Sequence, residues 1–152
     1  DLRPEKMQDP VFIRRMVAED SARTVRLREI IDKYGWPDEQ RAGAQAANAA
    51  FLILQHRPDH ALQKTMAPTS EELARRDKLP RSDAAMLIDR VLMHDSVPQR
   101  YGTQFTLKDG RWVLWQVEDQ ARLEQLRTEM GLPPMAEYMK MMEEFYKTPV
   151  VR

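Results

Sequence analysis

At 152 residues and 17.8 kDa, the chain is long enough for one domain with a sizeable core. Its 24 basic side chains balance 24 acidic ones, so no net field draws it to nucleic acid or to a membrane surface. Cysteine is absent, which excludes disulfides, thiolate metal sites and a Cys nucleophile.

No apolar run approaches the ~20 residues that cross a bilayer, so membrane insertion is not expected, and no signal peptide is visible. Asp1 in place of Met predicts a processed or trimmed chain, either cytoplasmic or exported after signal removal. A single domain is expected over 1–152, with 1–10 as an extended N-terminal segment. Oligomeric state is left open.

Ile13, Val17, Asp20, Thr24, Leu27, Ile31 and Tyr34 alternate in steps of three and four, which predicts one helix face. Tyr34-Gly35-Trp36-Pro37 stops that helix. A second helix is predicted from about Glu39 to His56. Gly43 is expected to permit tight packing near its start, Phe51-Leu52-Ile53-Leu54 to lie in the core, and Pro58 to end it.

Thr69-Ser70-Glu71-Glu72 carries a capping-box pattern, which predicts a short helix running to about Asp77. The basic run Arg75, Arg76, Lys78 and Arg81 reads as a solvated face. Another helix is predicted over 82–95, with Ala84, Leu87, Ile88 and Val91 toward the core.

The period then changes. "GTQFTLKDGRWVLWQVE" alternates around Asp109-Gly110, a strong hairpin signal, and places Phe105, Leu107, Trp112 and Leu114 on one face. A helix from about Gln120 to Met130 ends at Gly131. Pro133-Pro134 opens the last helix, whose apolar stripe is Met135, Tyr138, Met139, Met142, Phe145 and Tyr146. The fold class is mainly α with one β-hairpin.

"VPQRYGTQF", residues 97–105, is the stretch that resists a scaffold reading. Polar and aromatic positions crowd together there, and Gly102 permits close approach by a ligand or by backbone, as in a β-bulge. His56, at the end of its helix, is expected to point partly inward. His56 and His60 have the spacing of a metal pair, but Pro58 separates them and no third ligand is in sight, so no metal or other cofactor is expected. Asp89 is expected to be half buried beside Ala85, Ile88 and Leu92, either in a structural ion pair or orienting His56. No phosphate loop, dinucleotide turn, nucleophile elbow or zinc-protease motif occurs.

"RLREIIDKYGWP", "AAFLILQH", "LIDRV", "PQRYGTQF" and "GLPPMAEY", in that order from about Asp20 to Tyr138, resemble the bacterial family catalogued as domain of unknown function 6624. The family typically reads Q-H-A-D where this chain has Gln55-His56-Arg57-Pro58-Asp59. The resemblance supplies no activity. It implies that Gln55, His56, Asp89, Arg90, Gln99, Tyr101, Gly102, Thr103 and Gln104 belong to shared motifs, and polar residues in shared motifs mark a site.

Two readings follow. In the first, a hydrolase-like enzyme uses His56 as base and Asp89 as its orienter. Gln99, Tyr101 and Gln104, helped by Gln55, Arg90, Gly102 and Thr103, hold a polar substrate, and water or the Thr103 hydroxyl is the nucleophile. In the second, the same stretch grips a small polar molecule or a peptide without turnover, and the Met-rich last helix is an adaptable partner surface.

Overall fold

The computed structural model describes residues 10–56 and 59–151, so the expected N-terminal extension and the helix stop at Pro58 lie outside the described residues. The fold is mainly helical with one small sheet. The chain divides into two units, 1–62 and 63–152.

In the first unit, α1 spans Pro10–Tyr34. Gly35 follows it in the left-handed conformation, as the sequence predicts. The expected single helix over 39–56 is instead two, α2 (Glu39–Ala42) and α3 (Ala44–His56). Gly43 separates them with φ +84°, and a Cβ placed there meets nothing within 4 Å. Its role is a backbone break, and close packing is not the reason for it. Asp38 starts α2 by accepting the N–H groups of Gln40 and Arg41 at 3.0 and 3.2 Å. Leu27, Trp36, Ala50, Phe51 and Leu54 are buried, whereas Leu52 is exposed.

The helix α4 runs His60–Arg75 with Pro68 inside it, so no helix begins at the predicted capping box. Asp59 supplies the start by accepting the Leu62 N–H at 2.9 Å, and it also pairs with Arg28. The Ser70 hydroxyl donates backwards to the Ala67 carbonyl at 2.6 Å and caps nothing. The helix α5 spans Arg81–His94, with Ala84, Leu87, Ile88 and Val91 buried as expected.

Strands β1 (Phe105–Lys108) and β2 (Arg111–Leu114) pair antiparallel about Asp109-Gly110, with Phe105 opposite Leu114 and Leu107 opposite Trp112. A third strand, β3 (Val150–Val151), joins β2 in parallel and was not anticipated. The helix α6 covers only Leu123–Glu129, because Asp119 holds the N–H groups of Ala121 and Arg122 in a preceding turn. The helix α7 spans Met135–Tyr146.

Two apolar clusters organise the second unit. Ala67, Ala85, Ile88, Val91 and Tyr101 form one, flanked by Leu126 and Met130. Leu114, Leu123 and Met135 form the other, with Phe105, Tyr138 and Met139 packed against it. Both clusters reach the 99–104 stretch, the first through Tyr101 and the second through Leu123 and Met135 beside Gly102.

Candidate functional site

Asp89 projects from α5 with no solvent exposure. Its Oδ1 accepts the backbone N–H groups of Arg100 and Tyr101 at 2.8 and 3.1 Å. Its Oδ2 accepts the Thr103 N–H and hydroxyl, both at 3.0 Å, and a longer bond from the Tyr101 N–H. Burial pushes the Asp89 carboxyl above its ordinary range, while the Thr103, Tyr101 and Arg100 donors pull the other way.

Arg127 grips the same loop by its carbonyls. It is also fully buried, and its Nη1 donates to the Tyr101 and Gly102 oxygens at 2.7 and 3.1 Å. Its Nε donates to the Pro133 carbonyl at 2.8 Å, and the guanidinium lies 4.8 Å from the Tyr138 ring centre. Residues 100–103 are therefore held between a buried anion that takes their N–H groups and a buried cation that takes their C=O groups.

Gly102 is required at the centre of this clamp. Its φ is +67°, and a Cβ would come within 3.1 Å of Met135 Sδ and 3.4 Å of Leu123 Cδ1. The close approach expected there is made by the protein's own side chains.

Gln99 behaves as a piece of sheet. Its Nε2 donates to the carbonyls of Gln104 and Trp115 at 3.0 and 2.7 Å, and its Oε1 accepts the Gln104 N–H at 2.8 Å. Gln104 in turn donates to the Thr103 hydroxyl at 3.0 Å, and the Thr103 carbonyl accepts the Tyr138 hydroxyl. Asp89, Gln99, Thr103 and Gln104 thus form one buried network, with hydrogen-bond partners for each.

Of the other predicted site residues, Gln55 is buried and His56 is exposed, so His56 does not turn inward as expected. Arg90 is half-buried beside Tyr138 and Tyr146, and burial lowers its pKa.

Tyr101 leaves the clamp. Tyr101, only 7% exposed, borders an open cleft of about 320 Å³ together with Glu71, Ala74, Arg81, Glu129 and Met130, and Arg75 stands at the same cleft. Burial raises the Tyr101 phenol, Glu71 adds to the shift, and Arg100 opposes it. Glu71 is paired with Arg100, Glu129 with Gln125, and Arg75 with Glu72. Among the described residues, Arg81 donates only a long, 3.5 Å hydrogen bond, to the Glu129 carbonyl. A more apolar groove of about 550 Å³ lies in the first unit, lined by Leu27, Ile30, Ala46, Ala50 and Ile53 among others. Gln104 lines neither opening.

Arg127 and Arg81 were missed from sequence. Arg127 follows Leu123 by four residues, on the apolar stripe of its helix, and that position was the available signal. In sequence, Arg81 belongs to a basic run that reads as a solvated face, with no signal that it borders a cleft. Arg75, Arg76 and Arg81 are all exposed, as a solvated face requires; Arg75 and Arg76 pair with Glu72, whereas Arg81 also lines the cleft.

The model of a family of unknown function, DUF6624, matches residues 7–151, nearly the whole chain. The chain belongs to this family. Within this DUF6624 chain, the five motifs quoted above all fall inside the matched span. No curated protein and no solved structure matches the chain.

Proposed function

We propose that this DUF6624 domain is a ligand-binding module in which the Q-R-Y-G-T-Q motif is an internal scaffold and Tyr101 is its presented residue. The ligand class is a small carboxylate with an apolar body. The observation that carries this reading is the engagement of Asp89: both carboxylate oxygens are taken by donors of residues 100–103. A hydrolytic reading with His56 as base and Asp89 as orienter needs that carboxylate for the imidazole, so binding without turnover is the better supported reading.

The cleft chemistry sets the ligand. Ala74, Met130 and Tyr101 offer apolar contact, while Glu71, Glu129 and Arg75 are already engaged. Among the described residues that line the cleft, Arg81 is the cation left to meet an anion, and a guanidinium suits a carboxylate through its fork of donors.

Nuclear magnetic resonance titration of isotope-labelled protein with benzoate, and with benzamide as the uncharged control, tests this. Saturable shifts at Tyr101, Arg81 and Met130 are expected with benzoate alone, and their loss in Arg81→Ala. Shifts that never saturate, or that persist unchanged in Arg81→Ala, would overturn the assignment. Ester turnover lost in His56→Ala would favour the hydrolytic reading in its place.

A further inference from the structure

The outer face of α7 is unexpectedly apolar at two positions. Met141 is 47% exposed and Phe145 74%, although a solvent-facing helix stripe is ordinarily polar. Flanking them along the same stripe are Glu137, Lys140 and Glu144, and Lys147 follows as the left-handed residue that caps the helix; all four are exposed. None of these four side chains makes an ion pair among the described residues, although Lys140 and Glu144 have the i, i+4 spacing for one. Glu143, by contrast, turns away to accept the Val150 N–H at 3.0 Å.

The order of charges is acid, base, acid, base, and it is symmetric about position 142. We propose that α7 packs antiparallel against α7 of a second copy of this chain, about a two-fold axis near residue 142. In that register a residue at position n faces position 284 − n of the partner copy. Position 137 then meets 147 and position 140 meets 144, so every acid faces a base and the four charges of each copy are matched.

The same register builds the apolar seam. With a rise of about 1.5 Å per residue, Phe145 of one copy and Met141 of the other lie about 3 Å apart along the axis. The seam therefore runs Phe145, Met141, Met141, Phe145 across the two copies. A parallel pairing would set like charges beside one another, and an unrelated partner would not require the charge order to read inverted from the opposite end at the same spacings. A 12-residue helix is only about 18 Å long, so the contact falls short of a standard interface and the dimer is weak and concentration-dependent. This inference does not depend on the ligand assignment above.

Sedimentation equilibrium of the whole chain, from about 10 μM to about 1 mM, reads the association. The unmodified chain is expected to pass from monomer toward dimer across that range, less so at high salt. Lys140→Glu and Phe145→Ser should each remain monomeric throughout, with unchanged circular dichroism because both sites are exposed. Lys140→Glu/Glu144→Lys exchanges the charges and should restore the dimer. Lys140→Glu/Lys147→Glu mixed with Glu137→Lys/Glu144→Lys should form a heterodimer although each alone is monomeric. A monomer at every concentration would overturn the pairing, and so would a dimer indifferent to Lys140→Glu and Phe145→Ser. Failure of the exchanged variant to recover would overturn the register.

Discussion

A buried carboxylate that accepts several N–H groups is a demanding fixture, and Asp89 shows why. Replacing it by Asn keeps the shape but turns one acceptor into a donor that faces other donors. Asp89→Asn is expected to cost at least about 3 kcal/mol in urea unfolding, the scale of several stranded buried donors. Gln104→Ala strands the Gln104 partners and should cost about 1–3 kcal/mol. Gly102→Ala must place a side chain at φ +67° and against Met135, which should cost about 2 kcal/mol or more. A Gly102→Ala variant as stable as the parent protein would show that the loop can be rebuilt without the left-handed turn.

At the scale of elements, the hairpin and α5 give separable expectations. Leu114 is 8% exposed and Leu107 60%, although both lie on the face that alternation assigns to the core. Leu114→Ala should cost about 2–4 kcal/mol, whereas Leu107→Thr should be nearly silent in thermal unfolding. In the first turn of α5, burial raises the Asp83 carboxyl from 3.8 to about 6. The folded state therefore holds its proton more tightly than the unfolded chain does. The contribution is fully present below pH 3.8 and is lost as the pH rises through about 6. Asp83→Asn should remove that fall and leave the variant relatively more stable at neutral pH than at pH 4. An unaltered stability profile between those limits would assign the group an ordinary titration.

For the whole molecule, what was legible followed from local rules. The 105–114 hairpin was readable because Asp109-Gly110 and the alternation agree, and α5 because its apolar period is uninterrupted. The strand β3 was not, since Val150–Val151 acquires its partner only when α7 brings the chain back to β2. The start of α4 was misplaced because Ser70 has the residue pattern of a cap but bonds backwards to Ala67.

The candidate site divides in the same way. Sequence marked residues 99–104 as unusual, and the structure joins them with Asp89 in one network. It could not tell a polar cluster that faces a ligand from one that faces its own backbone. That distinction depends on Arg127, which arrives from a separate helix. The network fixes residues 100–103, and the fixed loop delivers Tyr101 to the cleft beside Arg81.

Paired urea unfolding of Asp89→Asn and Arg81→Ala, with benzoate binding measured on both, tests this division between scaffold and cleft most directly. A loss of at least about 3 kcal/mol is expected for Asp89→Asn, and near-parental stability with lost binding for Arg81→Ala. Parental stability in Asp89→Asn together with abolished binding would contradict this division, because Asp89 would then serve the ligand and not the loop.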